Sequence, residues 1–387
     1  MGEEHGISRA EFLARQAQTR ELAAAAGYAG VMVIGRAFYD RPGSLAYLTN
    51  HFPPFPPTEF DGVTRGLGHG VLILPVEGPT TLLVDGAFYR DDLIVSDDVR
   101  IAPNLPAGTG AALHDLGLVS AQMGLVGEDI LPLAFLGELL DGAPDLDLCP
   151  DERLVAQQRL VKSQAEQALL RRAAEVAGAG LRAALEAIQP GVTERQVCAA
   201  GTGAALAAGA DFVRYLRVHS GAWSAWPSRW PQATGRALEL GDIVTLDIIG
   251  AYQGYGFDVL RTTACGSPSP VARKLFGAAL LATERAVDTA RAGVKAGSVY
   301  QVGCRVLDEA GFGDNLPGFV GHGIGLETVE GPQLRRGVEI RLEPGMVLCI
   351  EPGIFVPGLG GACVEQEVIV TESGPPELIT KFETRWW

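Results

Sequence analysis

Basic charge, paired cysteines and long apolar runs are all scarce in this chain. Lys and Arg total 31 against 46 Asp and Glu, for a net charge of −15. No Lys/Arg cluster could track a phosphate backbone, so a nucleic-acid partner is excluded as an expectation. No apolar run reaches the roughly 18 residues of a membrane span, so no membrane partner is expected either. The six cysteines, Cys149, Cys198, Cys265, Cys304, Cys349 and Cys363, are scattered without a CxxC pair. That excludes a zinc knuckle or disulfide frame and points to free thiols in a reducing compartment. The opening MGEEHGISRAEF has no apolar signal core, and Gly6 stands where myristoylation needs Ser or Thr. A cytoplasmic location is expected. Histidine is also rare, at six residues. His322 stands more than fifty residues from any other, inside GHGIGLETVEGP (321–332), a stretch too glycine-rich for an ordinary helix or strand.

What is present is globular: 387 residues, 47% hydrophobic and 20% charged, enough for two domains. Residues 1–150 alternate helix and strand signals. A helix is predicted over 8–26 with Ser8 as N-cap, and a buried strand at VMVIG (31–35). GVLILP (70–75) and TTLLVD (80–85) form a hairpin through VEGP, and GLVGEDI (124–130) reads as another strand. NHFPPFPPTEF (50–60) holds four prolines and reads as a stiff loop of the kind that lines a site. Residues 141–151 read as a linker or edge strand, and 151–387 as a second domain.

The second domain opens on a capping box, Ser163 to Glu166, and a long helix to about Ile188. Thr193 to Gln196 is a second box, opening an Ala-rich helix to about Gly209. Ser269-Pro270 opens another long helix to about Ala292. A short one follows from Ala296-Gly297-Ser298, with Gln301 at the box position. Each helix pair precedes glycine-punctuated strands, which suggests an internal duplication of roughly 100-residue halves.

Those strands carry acids where apolar residues belong. GDIVTLDII (241–249) is broken by Asp247 and GYGFDVLRTTA (254–264) by Asp258. With a turn at 252–254, the two aspartates face one another on adjacent strands. GMVLCIEPGIFV (345–356) carries Glu351, and GACVEQEVIVT (361–371) carries Glu365 and Glu367. A carboxylate inside an apolar strand is costly unless a cation meets it. An Arg partner or solvent would serve for any single one. Asp247, Asp258, Glu351 and one of Glu365 and Glu367, four acids on two matching hairpins with a glycine-flanked His between them, point to a pair of divalent ions. Mn²⁺ leads, with Fe²⁺, Co²⁺ and Zn²⁺ as alternatives. Two such ions, about 3.5–4 Å apart, would share bridging carboxylates and a hydroxide that is nucleophilic at neutral pH. Strand alternation leaves Glu365 and Glu367 both open, since they face the same side.

The phrases D-x10-D ending in DVLRTT, GHGIGLE, IEPG and E-x-E-V-I-V-T resemble the pita-bread metallopeptidases. That family includes Xaa-Pro aminopeptidase, prolidase, methionine aminopeptidase and the metal-free creatinase. SLAYLTN (44–50) is similar to a phrase of the creatinase-type N-terminal domain. The resemblance covers most of the chain. It implies an α/β (α+β) fold, with a creatinase-like domain at 1–150 and a pita-bread catalytic domain with pseudo-twofold duplication at 151–387. It implies Asp247, Asp258, His322, Glu351 and Glu365 as metal ligands, with Glu351 also shuttling the proton. It also implies a homodimer in which an N-domain loop, here 50–60, reaches the partner's site. The departures concern histidines that assist in the family. The matching positions are Val329, Gly318 and Ser228, and Cys363 stands where an Arg is often found.

His219, in RVHSGAW (217–223), is the candidate replacement as proton or oxyanion donor. Trp223, Trp226 and Trp230 offer an aromatic wall for apolar or cationic groups. Arg229 offers a guanidinium for a substrate carboxylate. Tyr255 and Arg261 flank Asp258, with Arg261 expected to orient the ligand shell. Trp386-Trp387 is expected at a surface or dimer contact. The leading expectation is a dinuclear hydrolase that cleaves an Xaa-Pro-type amide in a small molecule or short peptide. The alternative is a repurposed member, a lyase or non-peptide C–N hydrolase acting on a small polar or cationic metabolite. A binding protein on the same fold is the third.

Overall fold

The computed structural model describes residues 6–56, 58–60 and 64–384. Pro57 of the proline loop and the terminal Trp386-Trp387 lie outside the described residues. The chain divides into two compact units, Met1–Arg159 and Leu160–Trp387. No helix of the described residues is long and apolar enough to cross a membrane.

The first unit runs α1 (Arg9–Ala25), β1 (Gly30–Arg36), α2 (Gly43–Thr49), β2 (Thr58–Phe60), β3 (Thr64–Leu67), β4 (His69–Pro75), β5 (Thr81–Val84) and β6 (Asp98–Ile101). It continues with α3 (Leu105–Asp115), β7 (Gln122–Val126), α4 (Leu133–Gly142), β8 (Asp147–Pro150) and α5 (Arg153–Leu160). Six strands form one mixed sheet in the order β6-β5-β4-β1-β7-β8. Ser8 caps α1 by accepting from the Glu11 N–H, and β8 is an edge strand. Two expectations need correction. The strand expected over 124–130 covers Gln122–Val126, and Glu128–Ile130 is a single 3₁₀ turn after Gly127 at φ 90°. The proline loop is not irregular to its end, because Thr58–Phe60 pairs with β3 once the prolines have passed.

The second unit runs α6 (Gln164–Glu186), α7 (Glu194–Ala207), β9 (Phe212–Ser220), β10 (Ile243–Tyr252), β11 (Tyr255–Ala264), α8 (Pro270–Thr289) and α9 (Ala296–Leu307). The strands β12 (Gly321–Gly323), β13 (Val347–Ile350), β14 (Ile354–Val356), β15 (Gly360–Ala362), β16 (Gln366–Ile369) and β17 (Glu377–Leu378) complete it. Both capping boxes form as expected, at Ser163/Glu166 and Thr193/Gln196. The box expected at Ser298 does not. Lys295 holds the N-cap of α9 with no side-chain cap bond, and Ser298 already lies inside the helix.

Each half of this unit covers one sheet face with helices. Leu246, Ile248, Phe257 and Val259 of the sheet β11-β10-β9 pack with Ala177, Leu181 and Ala184 of α6. Val299 and Cys304 of α9 pack with Leu348, Ile350 and Val368 of the sheet β12-β13-β16-β17, and with Val320 just before β12. Alternation along each strand then sends the intervening residues, the acids among them, to the face away from the helices.

Candidate metal centre

His322 sits in a strand after all, the central residue of β12, opposite Cys349 of β13; Cys349 lies opposite Glu367 of β16. The flanking glycines serve close backbone approach, which periodicity could not reveal. A Cβ at Gly321 (φ 147°) would stand 2.0 Å from the Cys349 carbonyl oxygen, and one at Gly323 would stand 1.9 Å from that of Gly331. The His322 Nδ1 lies 3.0 Å from the Gly323 carbonyl. A proton donated there leaves Nε2 as the free lone pair. That nitrogen is 3.5 Å from Glu351 Oε1 and 3.7 Å from Asp258 Oδ2.

Asp247 and Asp258 share a face but are not opposite one another. In the register of β10 and β11, Asp247 pairs with Leu260 and Asp258 with Ile249. They are diagonal neighbours, and their carboxylate oxygens still lie with one from Glu365 inside a 4.8 Å group. Glu365 precedes β16, its N–H donating to the Leu260 carbonyl at 3.0 Å. The Arg261 guanidinium bonds the backbone carbonyls of Leu260 and Glu365, fixing that segment against β11. Glu367 turns one oxygen to the Asp258 N–H at 2.9 Å. The structure thus brings together Asp247, Asp258, His322, Glu351 and Glu365, with Glu367 behind them.

The electrostatics of this cluster are adverse to bare carboxylates. Burial, and then the neighbouring acids Asp247 and Glu351, push the Asp258 carboxyl well above its usual range. Burial, Asp258 and Glu351 do the same to Glu365. Burial lifts Asp247 to about 6 despite Arg217, and Glu367 to about 8 despite the Asp258 N–H and Arg261. For His322 burial works downward, but the Glu351 carboxylate outweighs it and the imidazole pKa is raised. Glu365 Oε1 and Glu367 Oε2 are buried without a hydrogen-bond partner. Buried oxygen donors plus one imidazole nitrogen suit hard or borderline divalent ions, which would reverse every one of these carboxyl shifts. The residues fit such ions.

Two participants escaped the sequence. Cys349 Sγ lies within 4.8 Å of donor atoms of His322 and Glu365. Burial and the surrounding acids push its thiol pKa well up, so it is a protonated lining group. Its position two residues before Glu351 on a strand was the available signal. Arg217 Nη1 bonds Asp247 Oδ2 at 2.5 Å.

The remaining candidates lie on β9 and the connection after it. His219 is buried, with Nε2 3.2 Å from the Pro231 carbonyl oxygen. Arg229 stacks on Trp226 at 4.0 Å from the ring centroid. Trp223 is 48% exposed and Trp230 81% exposed. Tyr255 donates to Glu166 Oε1 at 3.0 Å, tying β11 to the cap of α6.

Comparison with known proteins gives a consistent result. The profile of metallopeptidase family M24 matches residues 168–372. The Xaa-Pro dipeptidase of Pyrococcus horikoshii is 32% identical over 267 residues, spanning 66% of this chain and 72% of that protein. Among solved structures, the Xaa-Pro dipeptidase from Bacillus anthracis aligns with a TM-score of 0.82 at 29% identity, covering 96% of this chain and 98% of that one. Dipeptidase PepE from Mycobacterium ulcerans aligns with a TM-score of 0.81 at 29% identity, covering 98% of each chain.

Proposed function

The chain belongs to metallopeptidase family M24 and is a hydrolase of that type, and from this we propose that it is a two-metal peptidase cleaving Xaa-Pro bonds in short peptides. The observation that carries the proposal is the convergence of Asp247, Asp258, His322, Glu351 and Glu365 on one buried cluster with an orphaned Glu365 oxygen. Those five residues would hold the ions, for which we favour Mn²⁺. When bound, the ions supply charge neutralisation, a polarised carbonyl and a hydroxide available near neutral pH.

The protein's own groups do the rest. Glu351, partly buried beside His322 Nε2, accepts the proton of the attacking water and returns it to the leaving amine. Arg261 keeps Glu365 in place through its backbone carbonyl. We propose that Arg229, whose guanidinium carbon lies over the Trp226 ring, binds a substrate carboxylate, and that the exposed Trp223 and Trp230 offer it an aromatic wall. His219, already bonded to the Pro231 carbonyl, supplies a proton only if that bond is exchanged. We further propose an accessory domain over 1–150, a catalytic domain over 151–387, a homodimer and a cytoplasmic location.

The test is proline release from Xaa-Pro dipeptides with Mn²⁺, using Glu351→Gln as control. Release is expected, and the control should lose about 10²-fold or more. No release from folded, metal-loaded protein would reject peptidase activity and turn the search to small polar or cationic metabolites.

A further inference from the structure

One buried carboxylate lies outside the acid cluster and spends all its hydrogen bonds on a single loop. Glu194, the first residue of α7, is 1% exposed. Its Oε1 accepts from the Ser220 N–H at 3.0 Å and from the Ser220 hydroxyl at 2.6 Å. Its Oε2 accepts from the Thr234 N–H at 2.9 Å and from the Thr234 hydroxyl at 2.6 Å. Four donors fill the capacity of a carboxylate, and all four come from two residues. Arg236 donates to the same hydroxyl oxygens, from Nη1 to Ser220 Oγ at 2.8 Å and from its backbone N–H to Thr234 Oγ1 at 3.1 Å. Each hydroxyl proton is thereby left for Glu194. The charge also stands at the N-terminus of a 14-residue helix, where the helix dipole favours it. A carboxylate buried this far is costly unless its hydrogen bonds are complete. Completing them here requires residues 220 and 234 to be held side by side.

Those residues close the two ends of segment 221–233, which carries Trp223, Trp226, Arg229 and Trp230. The root of the segment is crowded. Gly221 has φ 57°, and a Cβ on it would stand 2.9 Å from Arg236 Nη2, while Asp242 holds that guanidinium at 2.5 and 3.0 Å. Its tip is open, with Ser228, Arg229, Trp230 and Pro231 all exposed. The tip nonetheless lies one side chain from the acid cluster, since Ser228 Oγ is 3.3 Å from Arg217 Nη1, which bonds Asp247. We propose that Glu194 is a positioning residue for substrate: it fastens both ends of 221–233 and so sets where Arg229 and the tryptophans stand. This rests on the reading above that the segment binds substrate. Glu194 touches neither substrate nor the acids, so it governs substrate affinity and leaves the chemical step alone.

The test combines native tryptic digestion of Mn²⁺-loaded protein, following cleavage after Arg229 by mass spectrometry, with KM and kcat on Xaa-Pro dipeptides. Glu194→Gln keeps the size but turns one acceptor oxygen into an NH₂ group that meets the donors of Ser220 or Thr234, so one end of the segment is released. Cleavage after Arg229 should rise about tenfold or more, with cleavage elsewhere unchanged, because only this segment opens. KM should rise about tenfold with kcat within about threefold, the pattern of lost substrate binding. Cleavage after Arg229 at the wild-type rate overturns the proposal. So does a fall in kcat at unchanged KM, the pattern of a protein that is simply less folded. If circular dichroism shows that Glu194→Gln does not fold, Thr234→Val removes one donor from one end. It should move both quantities in the same direction, and no movement overturns the proposal. Failure of the peptidase reading looks different: wild type would release no proline. The tryptic comparison needs no substrate and still decides whether Glu194 fastens the segment.

Discussion

Raising the pH should destabilise the metal-free protein, and divalent metal should reverse the effect. Asp247 is lifted by burial from 3.8 to about 6, and Glu367 from 4.5 to about 8. In the unfolded chain both lose their protons at ordinary carboxylate values. The folded state holds them longer, so their contribution is complete below about pH 4 and is lost as the pH rises through 6 and then 8. The gap is worth up to about 3 kcal/mol for Asp247 and about 5 kcal/mol for Glu367. Asp258 and Glu365, raised by burial and by their acid neighbours, act with the same sign. So does His322, raised by Glu351 against the effect of burial. Against a typical total of about 5–15 kcal/mol these losses are large. Urea unfolding of EDTA-treated protein at pH 5, 6.5 and 8 measures them. The midpoint should fall at each step without metal. With Mn²⁺ the fall should disappear or invert, since the ion favours the ionised ligands. Glu367→Gln, which keeps an acceptor for the Asp258 N–H, should flatten the slope above pH 6. Metal-free stability that stays level or rises from pH 5 to 8 would refute the reasoning.

Other consequences can be checked more briefly. Gly323→Ala places a Cβ 1.9 Å from the Gly331 carbonyl oxygen and should cost about 2–3 kcal/mol in thermal unfolding, with loss of metal affinity as His322 shifts. Lys162→Met removes one partner of a buried ion pair, Lys162 Nζ to Glu330 Oε2 at 3.4 Å, and should cost about 3 kcal/mol by the same measurement. Asp258→Asn should leave far-UV circular dichroism unchanged and abolish tight Mn²⁺ binding, read by metal analysis after dialysis.

The parts of the fold legible in the sequence are those whose signal is local. Ser163/Glu166 and Thr193/Gln196 cap their helices through contacts three residues apart, and both helices begin where those pairs stand. Features that depend on a partner strand were not legible. Gly321 and Gly323 disfavour a strand by propensity, yet β12 exists because β13 and the Gly331 segment approach so closely that only glycine fits. The diagonal offset of Asp247 and Asp258 has a subtler origin. The hairpin turns on two residues, Gln253 at φ 47° and Gly254 at φ 79°, so Tyr252 pairs with Tyr255 and Asp247 with Leu260. Positive φ at both central positions is the tight hairpin geometry that fits strand twist. Reading the turn one residue longer loses that register.

The acids of the candidate site stood out because each breaks an apolar run, and burial of a carboxylate demands an explanation. Arg217 did not stand out, although it touches one of them. Its strand, FVRYLRVHS, mixes exposed and buried positions, and an arginine there reads as an ordinary partly solvated residue. Its partner is set by the β9–β10 register, which has a bulge at Ile249/Gly250 and is reached through the long connection 221–242. A tight turn would have fixed that register from the sequence; a connection of this length does not. The same connection carries Ser228 and Gln232, which pin the guanidinium. So the residues that set the charge balance at Asp247 come together only through tertiary pairing, and a pattern of local signals could show the acids without showing what compensates them.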